Sequence, residues 1–216
     1  MSTTAQIIHD LKHIADVGES VELLNLYKGL PIVNKASFAN IGAHDITLNT
    51  NHHQLVCLVH DGHTVILSDI LQVALSADVA ASDKAAGTVT LNNLAITTKK
   101  VGDRMTVRVE PHGLIPVEVS AEGQTASGAI ADISLNGVGL LIPGTVFRLK
   151  RKMPVQVIFQ LPNARIESAG LVRYTKQEAG SFRAGIDISQ DVAIKARLAQ
   201  YISGRRAEIL DELDRA

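Results

Sequence analysis

The chain has 216 residues, with 21 basic and 22 acidic side chains and a formal charge of −1. At about 150 residues per domain this allows one large domain or two small ones, and the balanced charge excludes a protein held to nucleic acid by bulk positive charge. Three Tyr, four Phe and no Trp leave little for base-stacking platforms or a membrane aromatic belt, and a single cysteine excludes a disulfide framework and a cysteine-rich zinc site, pointing to a reducing compartment.

Ile7, Ile8, Leu11 and Ile14 recur at helical spacing and Gly18 follows as a stop. Asp10, Lys12, His13 and Asp16 interrupt this apolar pattern, so it is no signal-peptide core. The dense apolar stretch 55–59 is far short of the ~20 residues that span a bilayer. We therefore expect a cytoplasmic protein with no membrane insertion. Beyond the first helix β signals dominate. Residues 55–59 and 64–67 flank Asp61-Gly62, a two-residue hairpin signal. Further β-branched, alternating runs lie at 87–91, 114–119, 137–142, 154–161, 166–174 and 181–188. Short strands with short turns argue for barrels or sandwiches rather than βαβ units. The expected fold class is mainly β, with a short N-terminal helix and a closing helix over 191–213, whose Ile194, Leu198, Ile202, Ile209 and Leu213 share one face while Gly204 weakens its middle.

A turn at Asp61-Gly62 sets His60 opposite His63, with His52 and His53 nearby in sequence. Only Asp61 is at hand to complete a ligand set, so exposed histidines at a hairpin tip outweigh a metal site. Cys57 reads as a buried small hydrophobe. The run Phe147-Arg148-Leu149-Lys150-Arg151-Lys152 reads as a solvated basic face able to guide an anion.

The polar stretch 97–103 is a plausible linker. Before residue 101 the chain has 6 basic and 9 acidic groups; from there on it has 15 and 13. All eleven arginines lie beyond residue 103, and arginine is the side chain that forks onto phosphate and onto the guanine edge. The second half is therefore where an anionic ligand is expected. Two short patterns follow the linker: Arg104-Met105-Thr106-Val107-Arg108, an RxxxR, and Asp132-Ile133-Ser134-Leu135-Asn136-Gly137, a DxSxxG. At this composition chance supplies about half an RxxxR but only about 0.06 of a DxSxxG, and the ordered pair is more specific than either. Taken singly, both have bland readings: solvated arginines at a strand start, and an aspartate capping its own turn.

The ordered pair resembles the PilZ domain, a bacterial receptor for the second messenger cyclic di-GMP. Ile130-Ala131-Asp132-Ile133-Ser134 leading into Gly137-Val138-Gly139-Leu140 is similar to that family's core hairpin, and Ala169-Gly170-Leu171-Val172-Arg173 and Ala184-Gly185-Ile186-Asp187 to its later strands. The resemblance covers about residues 101–216. Residues 1–100 more loosely resemble the small β-barrel that precedes PilZ in flagellar-brake-like proteins. This implies two antiparallel β-barrels in tandem: an N-terminal barrel over 1–98, a linker over 99–103, and a PilZ domain with its closing helix over 104–216.

The resemblance implies a ligand-binding set of Arg104, Arg108, Asp132, Ser134 and Gly137, with Arg173 as a further contact. The arginines suit a guanine edge or a phosphate. Asp132 suits the guanine N1–H and N2–H, and Ser134 a phosphate or base oxygen. Gly137 lets backbone approach the ligand. Arg173 is equally readable as a strand-end arginine in solvent. The implied function is a cyclic di-GMP sensor without enzymatic activity, metal or other cofactor. It changes its inter-domain arrangement and signals to a protein partner in motility, biofilm or polysaccharide control, as a monomer or homodimer without nucleic acid. The alternative is a PilZ-like adaptor that binds no nucleotide. No P-loop, GxSxG or HExxH supports an enzyme, and few aromatics disfavour an oligonucleotide binder.

Overall fold

The structure is a computed structural model and describes residues 3–97, 107–144, 149–178, 180–188 and 191–216. Residues 98–106, which include the expected linker, Asp103 and Arg104, lie outside the described residues, as do Phe147 and Arg148. The chain divides into two compact units, residues 1–105 with 211–216, and residues 106–210.

The first unit begins with α1 (Thr4–Asp16), whose N-terminus is capped by the Thr3 side chain accepting from the Gln6 N–H. Strands β1 (Val21–Tyr27), β2 (Leu30–Ile41) and β3 (Ile46–Asn49) follow, then α2 (His52–Asp61), β4 (His63–Leu67), β5 (Ala74–Asp83) and β6 (Thr88–Thr97). The strands pair antiparallel and close into a barrel in the order β1-β2-β3-β6-β5-β4. Ile7, Ile8, Leu11 and Ile14 of α1 join Leu23, Ile46, Leu48, Ile66, Leu75 and Leu91 in one buried core. Each such side chain contributes about 1.5–3 kcal/mol, so the helical face is what holds α1 to the barrel.

The expected hairpin around Asp61-Gly62 is instead α2 running into β4. Asn51 caps α2 by accepting from the Gln54 N–H at 2.9 Å. Gly62 ends it in the left-handed conformation (φ 70°), its N–H donating to Leu58 O. An Asp-Gly pair serves a helix C-terminus as well as a hairpin, because both need a positive φ. Leu55 and Leu58 enter the core. A buried polar network fixes the helix on β1 and β4: the Asn25 amide donates to Asp61 at 2.8 Å and to His63 O at 2.7 Å, and accepts from Gln54 at 2.8 Å and Thr64 at 2.9 Å. His60 and His63 are therefore not a cross-strand pair. The His60 ring meets Tyr27 edge-on at 5.3 Å, and His63 pairs with Asp78 on β5. Among the described residues no three His, Cys, Asp or Glu side chains gather in a metal-binding group, and no helix is long and apolar enough to cross a membrane.

The second unit contains β7 (Arg108–Val109), β8 (Pro116–Ala121), β9 (Gln124–Ser134), β10 (Gly137–Pro143), β11 (Pro154–Leu161), β12 (Ala164–Glu178) and β13 (Ser181–Ile188), followed by α3 (Val192–Arg215) as far as Leu210. Strands β8 to β13 pair antiparallel in the order β10-β13-β12-β11-β8-β9, and β9–β10 pairing closes this second six-stranded barrel. Strand β7 adds to β9 beyond the end of β8. Strict alternation fills the interior: Phe182, Ala184, Ile186 and Ile188 of β13 and Val138, Leu140 and Ile142 of β10 are buried, while the residues between them line the outer face. Asp191 caps α3 through the N–H groups of Ala193 and Ile194. Leu198 and Ile202 are buried, and the Arg205 guanidinium donates to Glu110 O at 2.9 Å, which ties the helix to this barrel.

Candidate functional site

The outer face of β9, β10, β13 and β12 is organised in register rows. One row runs Ser134–Gly137–Asp187–Leu171, the next Asp132–Gly139–Gly185–Tyr174, the third Ala129–Leu141–Arg183–Lys176. The middle row holds two glycines between a carboxylate and a phenol. A methyl group on Gly139 would overlap the Asp132 carboxylate, and one on Gly185 would overlap the Tyr174 ring. The glycines thus form a floor onto which both side chains fold.

Asp132 is the centre of the site. It is only 6% exposed, and a buried charge needs partners. It has two: the Arg108 Nη1 donates to Oδ1 at 3.1 Å, and the Arg183 Nη2 donates to Oδ2 at 2.5 Å. The two arginine side chains stay about a third exposed. One carboxylate under two guanidiniums leaves a cationic patch of net charge +1 facing solvent, with Lys176 beside Arg183 in register. Among the described residues neither buried Nε atom has a hydrogen-bond partner, so each arginine keeps donor capacity. Burial works against the Arg183 charge, but the hydrogen bond and charge of Asp132, joined by Tyr174, outweigh it and raise its pKa above the ordinary arginine range.

Of the residues singled out in the sequence, the structure brings Arg108, Asp132, Ser134 and Gly137 together; Arg104 lies outside the described residues. The Ser134 hydroxyl donates to Gly137 O at 3.0 Å, across the two-residue β9–β10 turn that the motif spans. Gly137 is required by packing: a Cβ there would strike the Ile186 carbonyl of β13. Both residues therefore build the hairpin, a role the motif chemistry did not anticipate. Arg173 stands one row away, at the irregularity between Val172 and Tyr174, and pairs with the half-exposed Asp187. The sequence reading missed Arg183, Tyr174 and the structural need for Gly139 and Gly185.

Fold and site together define a small antiparallel β-barrel domain with a paired-arginine cluster on its outer face, appended to a second barrel. Residues 102–204, the bulk of the second barrel, match the PilZ domain family. It is similar to MrkH from K. pneumonia in its c-di-GMP complex, with a TM-score of 0.51, 11% identity and 97% of each chain covered. It is also similar to YcgR from Escherichia coli in complex with c-di-GMP, at a TM-score of 0.48 and 12% identity over 99% of this chain and 95% of that one. A third likeness is to the inhibitor of motility MotI/DgrA of Bacillus subtilis, at 0.46 and 14% identity over 88% and 96%. No curated protein matches the sequence.

Proposed function

We propose that this protein is a cyclic di-GMP-binding effector that carries out no catalysis. The carrying observation is the surface cluster in which Asp132 holds Arg108 and Arg183 on the outer face of the PilZ barrel. The PilZ match supports it, and MrkH, whose fold the chain shares, is a c-di-GMP complex. Arg108 and, from the sequence, Arg104 take phosphate or guanine acceptors with charge-assisted bonds. Ser134 and Gly137 hold the hairpin that presents Asp132. Arg173 is an outlying contact, released from Asp187 if the ligand reaches that row. Ligand gripped by Arg104 engages the chain just after the linker. The inter-domain arrangement then shifts by the ligand's differential affinity for the two states, and the new surface is read by a protein partner in the cytoplasm.

Calorimetry with cyclic di-GMP tests this. Wild type binds one ligand per chain, because Asp103, where a basic residue would favour a second stacked ligand, repels phosphate at close range. Arg108→Ala weakens binding by roughly tenfold to a hundredfold, the loss of one hydrogen bond to a charged group. Arg197→Ala, which removes an exposed α3 arginine that donates to Arg165 O, leaves affinity unchanged. Saturating ligand slows proteolysis at Lys99-Lys100 and changes the small-angle scattering. Absence of binding to wild type would favour the adaptor reading, and binding without change in cleavage or scattering would remove the switch.

A further inference from the structure

Arg183 is the arginine of the cluster that no motif names. Its place is set by alternation and register: it stands on the outer face of β13, between Leu141 of β10 and Lys176 of β12. On one side of it is the Asp132 carboxylate, in the neighbouring row. On the other side the next register pair is Pro143–Ser181. There a shallow open groove of about 410 Å³ is lined by Leu114, Gly128, Ala129, Leu141, Pro143 and Ser181. Gly128 contributes backbone to the groove; a Cβ there would strike the Leu141 carbonyl at 2.5 Å and press on the Ile142 side chain, so β9 and β10 approach closely beneath it. Leu114 is 80% exposed at its margin.

Asp132 already has Arg108, and one guanidinium suffices to neutralise one carboxylate. The second guanidinium is surplus to that balance, is a third exposed, and carries a buried Nε that has no partner among the described residues. A buried donor left unmet is costly, and an incoming acceptor recovers that cost when it turns the guanidinium toward itself. Tyr174 flanks Arg183: its ring lies against Gly185, and its phenol interacts favourably with the guanidinium charge.

We propose that Arg183 reads the O6/N7 edge of a guanine whose ring rests on the Leu141–Pro143 groove, and that Tyr174 is the positioning residue for Arg183. The proposal rests on the reading that this surface binds cyclic di-GMP. The ligand has two guanines, and a planar base on an apolar shelf beside an arginine fork meets the geometry of bidentate O6/N7 recognition. The groove is the observation that separates base from phosphate: an apolar floor desolvates a purine favourably and a phosphate unfavourably.

The test is a cycle between protein and ligand, using cyclic di-GMP and its 7-deazaguanine analogue, which lacks the N7 acceptor. Wild type binds the analogue at least about fivefold more weakly. Arg183→Gln binds cyclic di-GMP at least about tenfold more weakly than wild type and binds the two ligands alike. Arg183→Lys, which keeps the charge but not the fork, loses most of the discrimination while retaining the fold. Tyr174→Phe keeps the ring on Gly185 and weakens cyclic di-GMP binding by a few-fold, with the preference for N7 reduced. An Arg183→Gln protein that binds as wild type does, or that weakens both ligands equally and keeps the preference, overturns the proposal: the first shows no contact, the second a purely structural role. A wild type that binds neither ligand overturns the cyclic di-GMP reading itself, and with it this assignment.

Discussion

Replacing Asp132 by alanine isolates the energetic centre of the site. The carboxylate accepts one hydrogen bond from Arg108 and one from Arg183, each of a kind that contributes about 1.5–3 kcal/mol. Their sum is an upper bound, because both guanidiniums are about a third exposed and water resolvates part of each when the partner is removed. Repulsion between the two freed cations acts in the opposite direction, and the small side chain leaves Gly139 uncovered. We expect a loss of about 2–3 kcal/mol. At a urea slope of about 2 kcal/mol per molar this lowers the midpoint of the second unit by about 1 M. Urea titration of the full chain followed by circular dichroism measures it. Arg173→Ala is the internal control, since its pair with Asp187 is exposed and such pairs contribute below about 1 kcal/mol. A cycle of Asp132→Ala with Arg183→Ala gives a coupling of about 1–2 kcal/mol. Equal midpoints for Asp132→Ala and Arg173→Ala, or a coupling near zero, would refute the view that this carboxylate organises the two arginines.

Gly139→Ala displaces the Asp132 carboxylate sideways and weakens cyclic di-GMP binding at least about tenfold, with a stability loss of about 1–2 kcal/mol; calorimetry beside thermal melting measures both, and wild-type affinity would contradict the glycine floor. Asn25→Ala strips four hydrogen bonds from the network under α2 and destabilises the first unit by about 2–3 kcal/mol, read as faster amide exchange in α2, while ligand affinity is unchanged. Cys57 is buried, and burial first, with the charge of Asp61, pushes its thiol pKa up to about 12. It resists thiol reagents at pH 8 until the chain unfolds. The folded state holds this proton where the unfolded thiol has lost it, so its contribution to stability is intact below about pH 8.5 and declines as pH rises toward 12; fast labelling of folded protein at pH 8 would contradict this.

The second barrel was the legible half. Runs such as 154–161 and 181–188 alternate with period two and fill one face of β11 and β13, so face and strand follow from the same pattern. The first barrel was harder. Strand β1 reads VELLNLY, buried at five of its seven positions, and β2 carries Pro31, Asn34 and Lys35; neither shows clean alternation. Helix α2 was mistaken for a strand because Gly62 fits two structures. The signal that separates them was present: Asn51 three residues before Gln54 is a capping-box spacing, and a hairpin has no use for it. In the site, Arg108 and Asp132 were legible because a motif spaces them. Arg183 was not, because it lies 51 residues beyond Asp132 and only the pairing of β13 with β10 brings it near.

The register rows also change what the DxSxxG pattern means. Of its three defined positions, two are consumed in construction: Ser134 ties the β9–β10 turn through the Gly137 carbonyl, and Gly137 makes room for the backbone of β13. The third, Asp132, is buried against arginines drawn from β7 and β13. The pattern therefore specifies a hairpin that carries a buried carboxylate, and the carboxylate specifies where two guanidiniums stand. Under the proposed function, ligand contacts fall to the arginines, which keep a third of their surface in solvent. This separates two kinds of loss. Ser134→Ala and Gly137→Ala damage the hairpin, so weakened binding follows from lost stability. Arg108→Ala removes a partner of the buried Asp132 as well as a part-exposed donor, so it lowers stability and binding together. A site built this way tolerates exchange among its outward arginines more readily than any change in the small residues beneath them.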